Sequence, residues 1–397
     1  MAQRRRDDVF STRHMDTVAR KDGGGQTVNI VTYNVLSDKL LFNNPDLYPD
    51  RNGPYLNWEY RKGRLLKEIL SYKADIVCLQ EVEQKHFTEH FLPRLRDQGY
   101  AGVFMSRTGR KTDGCATFYR TSCFKLVGQK FVEYRKKDCH LLDRDNVAVL
   151  LLLESVSPMG SRRGSPPEML CVANTHLLFN HNRGDVKLAQ VMVLLAEVEQ
   201  MATLIGPGGV HTRCPVLVAG DFNARPNSPL HQLVLRGKLN YSNLNAKEID
   251  GEHAHVSGAR DSLREIAAGR SHFLPERLGI SNNCCFERAP CSVHHTLRHS
   301  MCLDSAYRHS PGENKFTTLH LRACTTVDYI FFSSQAPSPS WCETSSPVAY
   351  RRTLRLLSAR QLPSQTDVRK EEALPNDVQS SDHVALQATL QFTDALH

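Results

Sequence analysis

Residues 215–226, PVLVAGDFNARP, decide how the rest of the chain is read. Val216, Leu217, Val218 and Ala219 form a short apolar run of the kind that makes a strand buried on both faces. Gly220 ends it, and Asp221 and Asn223 follow. Residues two apart on an extended chain point to the same side. A carboxylate and an amide therefore project together from the end of a buried strand. The carboxylate can orient or deprotonate a water, and the amide can donate to a phosphate oxygen. The same residue types also make ordinary turns. Repetition separates the two readings, because other polar clusters edge apolar runs in the same way. They are Tyr33-Asn34-Val35, Leu79-Gln80-Glu81-Val82, Asn174-Thr175-His176-Leu177, Val327-Asp328-Tyr329-Ile330 and Ser381-Asp382-His383.

Around these clusters, strand patterns alternate with helix patterns in both halves of the chain, which makes α/β the expected class. Strands are expected at 28–31, 75–79, 100–105, 116–119, 147–154, 170–173, 327–332 and 384–392. A helix is expected over 57–72, with Leu65, Leu66, Ile69 and Leu70 on its buried face. Others are expected over 83–95, from Asp185 as N-cap, and from Ser228-Pro229 to a stop at Gly237. Residues 43–54, 157–167 and 335–347 read as loops. Residues 1–26 are polar and end in three glycines, so they read as a disordered basic leader. Residues 242–315 have little periodicity and read as a long, partly ordered insertion.

Composition bounds the partners. The chain has 397 residues, 40% of them hydrophobic, enough for a sizeable core. A net charge of +8 suits an anionic substrate without specifying one. Twelve irregularly spaced cysteines and an N-terminus, MAQRRRDD, without an apolar segment point to reduced thiols inside a cell and not to secretion. No apolar run approaches the ~20 residues needed to span a bilayer.

The polar clusters together suggest hydrolysis of a phosphate ester. A hard divalent cation such as Mg²⁺ prefers few carboxylates and keeps several waters, and Glu81, after the apolar run ADIVCLQ, is the best single ligand candidate. The metal would neutralise the phosphate and help the leaving oxygen. Asp221 would orient the attacking water. His176 and His383 would donate to phosphate oxygens as charge develops, with Asp328 or Asp382 holding His383 as an imidazolium. Asn34 and Asn223 would add neutral donors. Taken singly, each has a plainer reading: a capping Glu, a packed His, a structural buried Asp.

LQEV, NTHL, GDFN, VDYIF and SDH, in this order, resemble the endonuclease/exonuclease/phosphatase superfamily, the fold of DNase I. The resemblance runs from Thr27 to Phe392. RTGRKTDGCATFY, LLDRDNV, VANTHLLFNHNRGDVKLAQ and GDFNARPNSPLHQLVLRGKLNY are similar to the Angel proteins, in the branch that also holds nocturnin and the poly(A) deadenylases. The resemblance implies one catalytic domain over 27–397, a two-sheet β-sandwich flanked by helices. It implies Mg²⁺, with Mn²⁺ as a substitute, bound through Glu81, with Asp382 near the metal. Asp221 would position the water, Asp328 would orient His383, and Asn34, Asn223, His176 and His383 would contact phosphate. It implies an RNA 3′ end as substrate, with either a 2′,3′-cyclic phosphate cleaved to free hydroxyls or 3′-to-5′ removal of adenylates. DGCATFY, which begins with Asp113, LLDRDNV, which contains Asn146, and the loop after Leu40 are expected to line the substrate pocket. Two rival classes are an RNA- or translation-factor-binding protein with an inert site and a lipid or small-molecule phosphoesterase. At 281–299, SNNCCFERAPCSVHHTLRH, the chain departs from its relatives. Its Cys284, Cys285, Cys291, His294, His295 and His299 fit no paired zinc spacing, so a variable loop is the expectation.

Overall fold

The apolar runs become strands of two sheets whose inner faces pack on each other. The computed structural model describes residues 13–21, 25–48, 53–137, 139–156, 168–241, 244–251, 284–286, 296–310, 313–335, 348–368 and 373–395. In chain order the principal strands are β1 (Met15–Thr17), β2 (Thr27–Asn34), β3 (Ile76–Glu83), β4 (Tyr100–Ser106), β5 (Asp113–Arg120), β6 (Phe124–Glu133) and β7 (Val147–Ser155). They continue as β8 (Met169–His176), β9 (Val216–Asp221), β10 (Leu303–Ser305), β11 (Asp328–Ser333), β12 (Arg352–Arg360) and β13 (Leu386–Asp394). One sheet is seven-stranded, in the order β1-β12-β13-β2-β3-β5-β4, and the other six-stranded, in the order β10-β11-β9-β8-β7-β6.

Alternation decides what faces what. Val28 and Ile30 of β2, Ile76 and Cys78 of β3, Leu170 and Val172 of β8, and Leu217 and Ala219 of β9 fill the layer between the sheets. Their neighbours of opposite parity face outward. Val31, Tyr33, Val77 and Leu79 pack on the helices Trp58–Ser71 and Gln84–His86 with its continuation to Arg96. Cys171, Ala173, Val216 and Val218 pack on Gly184–Ala202 and Pro229–Arg236. The result is the expected helix-sheet-sheet-helix sandwich. Among the described residues no helix is long and apolar enough to cross a membrane.

Several expectations need correction. The leader is not wholly without structure: Met15–Thr17 adds an antiparallel edge strand to Ser358–Arg360. Arg13 is buried, donating to the Ala385 carbonyl at 2.8 Å and the Tyr72 hydroxyl at 3.2 Å. Backbone pairing and one guanidinium anchor a segment that has no apolar face of its own. Residues 1–12 lie outside the described residues. Strands β6 and β12 were not anticipated. Both alternate with charged residues on a part-exposed face, which weakens the apolar signal. The insertion closes early, since Thr296–His299 pairs with Lys238–Asn240 and β10 joins the six-stranded sheet. Asp185 lies in the first turn of its helix, whose N-cap is Arg183. The expected helix Trp58–Ser71, with its Asn57 cap, and the Ser228 cap with a left-handed Gly237 stop are present.

Arg13→Ala is expected to lower stability by about 1–3 kcal/mol, because it strips a buried carbonyl and a buried hydroxyl of their donor. Denaturant midpoints of the two proteins measure this. An unchanged midpoint would show that the leader's docked end adds nothing to the fold.

Candidate active site

The same parity that buries the strands carries polar groups to one rim. Asp221 continues the inward series of Leu217 and Ala219, and Asp328 the series of Phe332 and Ile330. His176 continues that of Leu170 and Val172. Register then aligns them: Asp221 sits opposite His176 on β8 and opposite Asp328 on β11. Gly220 makes this possible. Its φ is +141°, and an added Cβ would lie 1.9 Å from the Thr175 carbonyl oxygen.

On the facing sheet, Asn34 ends the inward series of β2 opposite Gln80 of β3. Glu81 has the wrong parity to face the same rim. A bulge between Leu79 and Val82 and a left-handed Glu81 backbone, φ 57°, turn it there. Asn34 then ties the sheets together. Its Nδ2 donates to Glu81 Oε1 and to Asp221 Oδ2, each at 3.1 Å, and its Oδ1 accepts from the Leu36 amide.

Two loops complete the rim. Ser37 N–H donates to Glu81 Oε2 at 3.0 Å. Ser381 Oγ donates to the Asn34 carbonyl at 2.6 Å and accepts from the His383 amide. Both loops hang on Arg61, fully buried on the helix Trp58–Ser71. Its guanidinium donates to the carbonyls of Val35, Leu36, Leu56 and Ser380 and to Asp38 Oδ1. Tyr48 donates to Asp382 Oδ2 at 2.9 Å, while Asp382 Oδ1 is buried without a partner among the described residues.

His383 Nδ1 lies 2.8 Å from Asp328 Oδ2, the expected pair, and its Nε2 lies 3.8 Å from Asp221 Oδ2. His176 Nε2 lies 3.5 Å from the same Asp221 oxygen. Burial alone would lower the pKa of His383. Asp328, by charge and hydrogen bond, and then Asp382 and Asp221 reverse this and hold it well above the ordinary histidine value. Burial keeps His176 below that value despite Asp221. One ring is therefore a cation near neutrality and the other neutral. Burial raises Asp221, His176 pulls it back, and Asp328 adds to the rise. Glu81 is pushed up to about 7 by burial first and then by the charges of Asp382 and Asp113.

These environments bear on where a cation fits. Asp221, Asp328 and His383 offer ligand atoms within 4.8 Å of one another. His383, however, already supplies positive charge to those two carboxylates. Glu81 and Asp382 have no cation hydrogen-bonded to them among the described residues, and a hard cation there would relieve the raised pKa of Glu81.

Other expected site residues take different parts. Both amide groups of Asn146 are engaged: Nδ2 donates to the His176 carbonyl and Oδ1 accepts from Gln190. Asn146 thus positions β8 through one of its amide N–H groups and its carbonyl. Asn34 likewise spends its N–H groups on carboxylates, and so acts as a clamp. Asn223 Nδ2 donates to the Leu177 carbonyl, and its backbone N–H donates to Asp221 Oδ1. Asp113 is buried at the start of β5, paired with Arg107 at 2.5 Å. Cys291, His294 and His295 lie outside the described residues. His299 is taken up by the Leu233 carbonyl and the Met301 amide. Sequence reasoning missed Arg61 and Arg107, and reached Tyr48 only as part of the loop after Leu40. For Arg61 a signal existed, since it precedes Leu65 and Ile69 at the four-residue spacing of the buried stripe.

A profile of the Endonuclease/Exonuclease/phosphatase family matches residues 31–383. The chain is 34% identical to cattle (Bos taurus) protein angel homolog 2 over 416 residues, covering 97% of this chain and 73% of that protein. It is similar to the crystal structure of ANGEL2, a 2′,3′-cyclic phosphatase, in complex with adenosine-2′,3′-vanadate. The TM-score is 0.77 and the identity 35%, over 96% of this chain and 98% of that one. The human nocturnin catalytic domain with bound sulfate shares the fold, with a TM-score of 0.54 and 21% identity, over 96% of this chain and 98% of that one.

The Glu81 environment yields a test that needs no substrate. With a pKa of about 7 in the fold against an ordinary 4.5, Glu81 favours folding most where it is protonated. Its contribution to the cation-free protein is therefore lost as pH rises from about 4.5 to about 7. Glu81→Gln should flatten that fall. Above pH 7, added Mg²⁺ should raise the melting temperature of the wild type and leave the variant unmoved. Equal shifts in both proteins would remove Glu81 from the cation site.

Proposed function

The chain belongs to the endonuclease/exonuclease/phosphatase family, on its Angel branch, and on that premise we propose that it is a Mg²⁺-dependent phosphoesterase hydrolysing 2′,3′-cyclic phosphate at RNA 3′ ends to free hydroxyls. One observation carries the reading. A buried row of His176, Asp221 and Asp328, completed by His383, faces Glu81 across a single amide, Asn34. Its likeness to a solved 2′,3′-cyclic phosphatase at 35% identity favours a cyclic end over an adenylate tail. The convergence of Asn34, Glu81, His176, Asp221, Asp328 and His383 on one another disfavours an inert binding protein.

Each side chain has a part. Asp221, with its pKa raised by burial, takes a proton from the attacking water and is kept in place by Asn34 and the Asn223 amide. His383, kept cationic by Asp328, donates through Nε2 to an oxygen that gains charge in the transition state. His176 is neutral, and its Nδ1 is buried without a partner among the described residues. Glu81, with Asp382 beside it, would hold Mg²⁺, which when bound neutralises the phosphate and eases departure of the leaving oxygen. The fold excludes bulk water from Asp221 and Asp328, which strengthens every charge interaction among these groups.

Purified protein with Mg²⁺ should be given matched RNAs ending in 2′,3′-cyclic phosphate, 3′-phosphate or a hydroxyl-terminated poly(A) tail. The cyclic end should be converted to free hydroxyls, and shortening of the tail instead would overturn the reading. Asp221→Asn should slow conversion by roughly 100-fold or more with little loss of RNA binding. His383→Ala and Asp328→Ala should each slow it strongly. The double variant should be scarcely worse than the worse single one, because the pair acts as a unit. Additive losses would separate the two residues.

A further inference from the structure

Arg107 has no part in the chemistry derived above, yet the fold places it in the wall between the two halves of the site. It opens the hairpin joining β4 to β5, and its N–H donates to the Asp113 carbonyl at 2.8 Å. Asp113 pairs in register with Glu83, just beyond the bulge that carries Glu81, and the Gln84 amide donates to the Thr112 carbonyl. The other side of the hairpin docks toward His176. Thr108 donates through its amide and hydroxyl to Asp145, and the next residue, Asn146, holds the His176 carbonyl. The hairpin therefore spans from the strand of Glu81 to the strand of His176. The charge of Arg107 reaches both of those side chains.

Three buried polar atoms here lack partners among the described residues: Arg107 Nε, Asp113 Oδ2 and His176 Nδ1. Arg107 Nε can donate, Asp113 Oδ2 accepts, and Nδ1 of a neutral His176 whose Nε2 faces Asp221 accepts as well. Buried groups of this kind are rare unless a water or a ligand satisfies them. A phosphate oxygen suits the guanidinium, and a ribose hydroxyl suits the carboxylate and the imidazole. Arg107 is only 13% exposed and is fixed by Asp113 at 2.5 Å, so its planar fork is already oriented.

Conversion of a cyclic phosphate to two hydroxyls needs two hydrolyses. In the first, a water oxygen bonds to phosphorus and one ribose P–O bond breaks. The water's proton passes to the departing ribose oxygen, and a phosphomonoester remains on the other. In the second, another water bonds to phosphorus, the remaining P–O bond breaks, a proton of that water passes to the departing ribose oxygen, and orthophosphate leaves the free diol. No redox change occurs. The charge differs between the steps: the cyclic diester carries one negative charge, and the monoester carries nearly two at neutral pH, its second pKa being about 6. A site already holding Glu81, Asp382, Asp221 and Asp113 repels the second substrate more than the first.

We propose that Arg107 binds the phosphate of the substrate and is required chiefly for the second step, in which a dianionic monoester must enter this acidic pocket. The inference rests on the cyclic-phosphatase reading, and a binding measurement separates the two. RNA ending in 2′,3′-cyclic phosphate is given to wild type, Arg107→Gln and Arg107→Lys, and the products are resolved over time. Arg107→Gln should slow the second step by roughly 100-fold, and the first about tenfold less severely, so that monophosphate ends accumulate. Arg107→Lys keeps the charge without the fork and should fall between. It carries the test if the glutamine variant shows no melting transition. In parallel, calorimetry compares adenosine 3′-monophosphate with adenosine, and Arg107→Gln should lose the phosphate's share of binding. Equal slowing of both steps, or undiminished preference for the monophosphate, would overturn the inference. A wild type that ignores cyclic ends but binds the monophosphate through Arg107 would sink the proposed function and leave the Arg107 contact standing.

Discussion

One amide holds the two halves of this site at a fixed distance. Asn34 has two N–H donors and spends them on carboxylates from opposite sheets, while the Leu36 amide fixes which way the side chain faces. Hydrogen bonds to charged acceptors are stronger than neutral ones, of order 1.5–3 kcal/mol each. Without them Glu81 and Asp221 would face each other with less to offset their repulsion. The same device recurs one layer deeper with neutral groups. Gln80 bridges Thr32 and Asn174, and Asn174 donates back to Leu79 and Ala116 of the facing sheet. The sandwich is thus apolar between its sheets until the last inward positions of its strands, where amides replace hydrocarbon and pin sheet to sheet.

That placement follows from parity. A side chain two positions beyond an inward-facing one faces inward too, so Asp221, Asp328, His176 and Asn34 share one rim because their strands are in register there. A slip of one residue in β9 would turn Asp221 onto the helical layer. Two groups reach the site only through unusual backbone: Glu81 at φ 57° and Asn223 at φ 48°. Left-handed conformation costs such residues of order 1–3 kcal/mol, and it persists where the surroundings fix it. Here the Ser37 amide, Asn34 and the Asp221 carboxylate do so.

This explains how much could be read from the sequence. The apolar runs with their terminal polar residues announced the sheets, the rim and most of its members, because parity and burial are local properties of a strand. The His383–Asp328 pair was legible as one of two alternatives, and distance chose between them. Roles that depend on who sits opposite were not legible. Asn34 looks like a free donor in the sequence, and only the fold shows both its N–H groups already committed. Arg61 shares the spacing of the buried stripe, but the carbonyls it serves come from loops distant in the chain. Tyr48 gives no local signal, since its partner Asp382 lies 334 positions away. The docked end of the leader was illegible for a similar reason: its stability comes from the edge of β12 and from Ala385, not from its own residues.

The acidic groups are balanced one by one, and the pattern of balance assigns their work. Asp328 has the His383 ring, Asp113 has Arg107, and Asp221 has Asn34 and two nearby imidazoles. Those partners are supplied by the chain itself, as a preorganised site requires. Glu81 and Asp382 differ. Their protein partners are an amide side chain, a backbone N–H and a phenol, none of which carries positive charge. The residual field shows in the raised pKa of Glu81. Of the two halves, the histidine half therefore carries its own positive charge, and Glu81 and Asp382 have no cationic hydrogen-bond partner among the described residues. On the proposed reading, a phosphate between them would meet donors held by the fold on one side and a bound cation on the other.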